Sequence, residues 1–154
     1  MKEVRIAPPE GYEVDEEKST FENIVFKKKE IKLPKTWEEL ERVSGYFING
    51  SSQIVEAKNV RTIRGNEFTF PTKEEAEASV ALAQLCQLRD RYNNGWKPDW
   101  NGTTQKYVIR FHENAISRET SRRYRAVLSF KSKELLDLFV ENFKDLLETA
   151  KPFL

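Results

Sequence analysis

The chain has 154 residues, with 26 basic against 25 acidic side chains, 38% hydrophobic residues and a single cysteine. That length suits one domain able to bury a core without staples, and a net charge of +1 sets up no global field for nucleic acid, so any basic binding surface is local. The lone Cys86 rules out an internal disulfide and agrees with a reducing cytoplasm, no apolar run of about 18 residues is present to span a membrane, and the charged start Met1-Lys2-Glu3-Val4-Arg5 reads against secretion.

Residues 1–33 read as an extended N-terminal arm of the same domain as an α+β core over residues 34–154. Val4-Arg5-Ile6-Ala7 is a candidate short strand, Pro8-Pro9-Glu10-Gly11 a turn or polyproline stretch, and Asp15-Glu16-Glu17-Lys18 one helical turn. Thr20 to Phe26 is a second strand candidate, and Lys27-Lys28-Lys29 marks an exposed strand end.

Pro34 to Val43 reads as a short helix capped at Thr36, with Glu39 three residues on and with Trp37, Leu40 and Val43 on one face, which assigns Trp37 to the core. Gly45 to Ala57 reads as a hairpin around Asn49-Gly50. A strand from Asn66 to Phe70 leads through Pro71 into the capping box Thr72-Lys73-Glu74-Glu75.

The helix from Thr72 to Tyr92 carries a wide apolar arc through Ala78, Ala81, Leu82, Leu85, Leu88 and Tyr92, with Cys86 a buried small hydrophobe inside it. The arc implies cover on more than one side. Asn93-Asn94-Gly95 then stops the helix and Pro98 shapes the turn that follows. Trp96 is placed to fold back on the helix end, whereas Trp100 is open to packing or binding.

Lys106 to Phe111 and Arg123 to Phe130 are strand candidates joined by a polar loop from His112 to Arg122. A helix from Ser132 to Ala150 follows, with Leu135, Leu136, Phe139, Phe143, Leu146 and Leu147 on its apolar face and Pro152 as its stop. Phe70-Pro71-Thr72-Lys73-Glu74 and Phe130-Lys131-Ser132-Lys133-Glu134 are alike; the likeness fits a degenerate ββα duplication and also fits two independently capped junctions. The fold class is α+β: a single domain in which an antiparallel sheet packs against two main amphipathic helices.

Alternation along the second hairpin sets Tyr107, Ile109, Phe111, Tyr124, Ala126, Leu128 and Phe130 on an apolar face and Lys106, Arg110, Arg123 and Arg125 on a basic one, with Arg118 and Arg122 in the connecting loop. Guanidinium groups make paired hydrogen bonds to phosphate, and Trp96 or Trp100 nearby could stack a base. The same pattern also describes a solvated outer face partly neutralised by Glu113 and Glu119. Enzyme signatures are missing: His112 is the only histidine, and no CxxC, GxSxG, HExxH or phosphate-binding glycine loop occurs. No cofactor or metal site is predicted, and catalysis would require carboxylates converging from distant segments.

Three blocks resemble short, functionally uncharacterised proteins encoded in prophages and mobile elements of gut anaerobes. They are Pro9 to Lys27, Phe70 to Leu88, and Gly95-Trp96-Lys97-Pro98-Asp99-Trp100. The resemblance implies a phage-associated accessory protein in virion assembly, nucleic-acid handling or counter-defence, does not choose among these, and carries over no catalytic or binding residue. Together these readings favour a non-catalytic binding protein of the bacterial cytoplasm that presents a basic sheet face and an aromatic loop to a nucleic acid or nucleotide. The alternative is an assembly protein that docks a protein partner through the aromatic loop. A homo-oligomer is compatible with either, and a membrane partner with neither.

Overall fold

The computed structural model describes residues 6–30, 33–40, 42–61, 69–113 and 115–154. The chain forms two compact units, Met1–Glu39 and Leu40–Leu154, each taken by itself below.

In the first unit Tyr12–Val14 (β1) pairs antiparallel with Phe26–Lys28 (β2). The loop between them is tied internally: Ser19 N–H donates to the Asp15 carbonyl at 2.8 Å, and Ser19 Oγ accepts from the Val25 N–H at 2.9 Å. Thr20 to Val25 is therefore not the strand its composition suggests. Thr20 and Asn23 close a tight turn instead, which leaves Phe21 fully exposed. Val4 and Arg5 of the first expected strand lie outside the described residues, and Ile6 and Ala7 are in no strand.

The helix expected over residues 34–43 shrinks to a 3-10 turn at Glu38–Leu40, and Arg42–Ile48 is a strand, β3. The Glu39 carboxylate takes up the Lys35 N–H at 2.8 Å, and the β-branched and aromatic run through Val43, Tyr46, Phe47 and Ile48 favours extended backbone. Trp37, expected in the core, is 40% exposed. β3 pairs with Ile54–Arg61 (β4) across a turn in which the Asn49 side-chain carbonyl accepts from the N–H groups of Ser51 and Gln53. On its other edge β3 pairs with Thr69–Phe70, β5. Of the strand predicted from Asn66, the residues before Thr69 lie outside those described.

Helix α1, Lys73–Tyr92, starts at the expected reciprocal capping box, with Thr72 accepting from the Glu75 N–H and the Glu75 carboxylate accepting from the Thr72 N–H. Ala76, Ala78, Ala81 and Leu85 are buried, while Cys86 is only half-buried. In the second half Lys106–His112 (β6) pairs with Ala115–Ser121 (β7), and Ser129–Phe130 (β8) takes the other edge of β6. This corrects the expected hairpin: its second strand lies inside the segment read as a polar loop. Only the last two residues of Arg123–Phe130 join the sheet. The final helix is also divided, at Phe143, into Lys133–Asn142 (α2) and Lys144–Ala150 (α3). Phe143 leaves helical geometry with its ring against Tyr92 and Phe139.

The strands make separate sheets rather than one, in the orders β4-β3-β5 and β7-β6-β8. Each half thus runs as a hairpin, a short third strand on the free edge of the first, and a capped helix. Phe70 and Phe130 occupy equivalent ends of the third strands, opposite Tyr46 and Tyr107. The core joins Ala81 and Leu85 of α1 to Ile109, Leu128, Phe130, Leu136, Phe139, Val140 and Leu147. No helix among the described residues is long and apolar enough to cross a membrane.

Candidate phosphate-binding surface

Register on β6 separates two faces, because residues opposite one another in an antiparallel pair share a face. Tyr107–Thr120, Ile109–Arg118 and Phe111–Ile116 turn one way; Lys106–Ser121, Val108–Glu119 and Arg110–Ser117 turn the other. Ile109 belongs to the core with Tyr107, Phe111 and Ile116 against it, so the first is the helix side. Arg118 therefore does not join Lys106 and Arg110. It reaches α2, where its Nε lies 3.2 Å from the Asp137 carboxylate.

Lys106 and Arg110 do share a face, but neither is a free cation. Lys106 is 1% exposed, and its ammonium donates to the Arg122 carbonyl at 2.9 Å. Arg110 is half-buried; it donates to the Arg125 carbonyl at 3.2 Å and stands 3.7 Å from Glu119. Their place in the fold has a plain cause. After Ser121 the chain leaves the ladder until Ser129, and carbonyls outside a ladder need other donors.

Those donors are side chains of α1, β6 and β7. Lys106 serves the Arg122 carbonyl, Arg110 that of Arg125, and Arg89 of α1 that of Val127 at 2.6 Å. Ser121 Oγ donates to the Tyr124 carbonyl at 2.8 Å and accepts from the Tyr124 N–H at 3.0 Å, and the Ile109 N–H reaches the Leu128 carbonyl. With its backbone held in this way, the segment turns Arg122, Arg123, Tyr124 and Arg125 outward. Strand alternation assigns Tyr124 to the apolar face; the observed bend leaves it 80% exposed. Its local signal in the sequence is Ser121, whose hydroxyl can close a turn on the residue three ahead.

The tryptophan loop supports this surface. Asn94 and Gly95 both take positive φ, 51° and 76°, so Trp96 turns back with its N–H on the Asn93 carbonyl and is half-buried. Lys97 pairs with Asp90 and holds that carboxyl below its ordinary range. Trp100, also half-buried, lies with its ring centre 5.3 Å from the Lys106 ammonium, so it covers that amine instead of standing free. Asn93, legible only as a helix stop, is buried and bridges α1 to β8, donating to the Ser129 carbonyl at 2.8 Å and accepting from the Lys131 N–H.

Two shallow depressions meet at Thr120, Ser121 and Tyr124, which line both. One, of about 340 Å³, adds Thr103, Arg122 and Arg123. The other, of about 280 Å³, adds Arg110, His112 and Glu119. Glu119 Oε1 is 2.6 Å from His112 Nε2 and accepts from Ser117 Oγ at 3.0 Å. The Ser117 bond, followed by His112 and Arg110, holds the Glu119 carboxyl below its usual range. Among the described residues no three His, Cys, Asp or Glu side chains converge on a position for a metal ion. Compared with protein-family models, curated proteins and solved structures, the chain matches none.

Proposed function

We propose that the chain is a non-catalytic binding protein that holds a phosphate-bearing ligand, a nucleic acid or nucleotide, on the Arg122-Arg123-Tyr124-Arg125 segment. The observation that carries this is the pinned backbone of a segment with exposed side chains: carbonyls of residues 122, 124, 125 and 127 are each held by a side chain outside the segment. A segment ordered before binding loses less entropy on contact. Arginine matches phosphate with paired, charge-assisted hydrogen bonds, and an exposed aromatic ring stacks a base for about 1–3 kcal/mol. The resemblance to prophage-encoded proteins supports a setting in the bacterial cytoplasm, with counter-defence as one use. Docking of a protein partner through the tryptophan loop has less support, since Trp100 covers Lys106.

Fluorescence anisotropy with labelled oligo-dT over a range of salt tests the proposal. Three arginines on three phosphates predict a slope of log K against log salt of about −2 for a single strand. Joint substitution of Arg122→Ala and Arg123→Ala lowers both slope and affinity, and Tyr124→Ala lowers affinity at unchanged slope. Binding that ignores salt, or that survives the double substitution, refutes it.

A further inference from the structure

We infer that the depression holding Glu119 is a base-reading pocket that prefers guanine. This rests on the nucleic-acid reading above. The two depressions that share Tyr124 differ in charge. The lining of one includes Arg122 and Arg123 and no acid, which suits a phosphate. The other holds the Glu119 carboxylate beside Arg110 and His112, and a carboxylate repels a phosphate. Its occupant is therefore the uncharged part of a nucleotide, with the Tyr124 ring as the wall against which a base stacks.

The acceptor inventory of Glu119 narrows the base. Oε1 already interacts with His112 Nε2 at 2.6 Å and Ser117 Oγ at 3.0 Å. Among the described residues Oε2 has only Arg110 Nε, at 3.7 Å and beyond hydrogen-bond distance, so no described donor fills its lone pairs. The carboxylate is held in place yet still offers an acceptor. Guanine alone among the common bases carries two adjacent donors, its ring N1–H and its amino group, on the Watson–Crick edge. Adenine and cytosine each set their amino group beside a ring-nitrogen acceptor, and thymine or uracil flanks its one donor with two carbonyls, so each brings an acceptor towards Oε2. Arg110, which also lines the depression, is a donor suited to the guanine carbonyl.

The test is anisotropy of the full chain with labelled oligo-dT in which one central residue is replaced by guanine, adenine or hypoxanthine, the last being guanine without its amino group. The guanine oligonucleotide is expected to bind about tenfold more tightly than plain oligo-dT, with the hypoxanthine one between them. Glu119→Gln should bring the affinities together, and because the hypoxanthine comparison needs no protein variant, the prediction does not depend on how that variant folds. Equal affinities in the unaltered protein, lost alike on substituting Arg122 and Arg123, overturn base reading while leaving phosphate binding intact. Absence of binding to every oligonucleotide at low salt overturns both.

Discussion

The Lys106 ammonium lies 5.3 Å from the centre of the Trp100 ring while donating to the Arg122 carbonyl at 2.9 Å. A residue read from the sequence as a surface cation is thus an enclosed strut between the tryptophan loop and the arginine segment. The ring shields the amine from water, where a cation–π contact is stronger than at an exposed site.

Replacing Lys106 by Met keeps the bulk and removes the donor. The Arg122 carbonyl then loses its partner, at a cost of about 1–3 kcal/mol in folding stability. The urea midpoint should fall accordingly. Affinity for oligo-dT should fall with it, although Lys106 touches no ligand, because Arg122 and Arg123 lose their fixed backbone. A Lys106→Met protein with unaltered midpoint and affinity contradicts the strut.

Gly45 carries a second prediction. Its φ is +144°, and a Cβ there would run into the Phe70 carbonyl oxygen where β5 closes on β3. Gly45→Ala therefore combines backbone strain with a clash against main chain, and should cost about 2–5 kcal/mol by urea denaturation. Gly50, with nothing within 4 Å of an added Cβ, is the control, and Gly50→Ala should shift stability by about 0.5 kcal/mol or less.

Acid should weaken the fold partly through Glu119. Its carboxyl sits below the ordinary value of 4.5, chiefly because the Ser117 hydroxyl donates to it. A group depressed in the folded state contributes stability that is complete above the unfolded value and lost as pH falls through the folded one. The urea midpoint should therefore decline on acidification below about pH 4.5. Glu119→Gln should flatten part of that decline, leaving the shares of Asp90, held down by Lys97, and of Glu134, held down by its backbone N–H and Ser132. Identical acid slopes in the two proteins would show that Glu119 contributes nothing.

Legibility in the sequence followed the range of the interaction. The capping box at Thr72 and Glu75 and the Asn49-Gly50 turn depend on neighbours within a few residues, and both were readable. β7 was not. Ala-Ile-Ser-Arg-Glu-Thr-Ser has one large apolar residue, Ile116, and is largely polar on both faces, because Arg118 meets Asp137 of α2 on one side and Glu119 meets His112 on the other. Arg123 to Phe130 misled in the opposite way. Its alternation imitates a strand, but Ser121 bonds Tyr124 in both directions and ends the ladder. Of the candidate site, the arginines at 122, 123 and 125 were legible as charge. That Lys106 and Arg110 serve carbonyls of residues 122 and 125 was not, since those bonds span 16 and 15 positions.

Every side-chain bond that fixes the stretch from Arg122 to Val127 ends on a main-chain atom. The fastening therefore does not read which side chains stand at 122, 123, 124 and 125. Those four side chains can be exchanged without removing a bond made by Arg89, Lys106, Arg110 or Ser121. A substitution at Arg89, Lys106, Arg110 or Ser121, by contrast, releases the main-chain atom which that side chain holds.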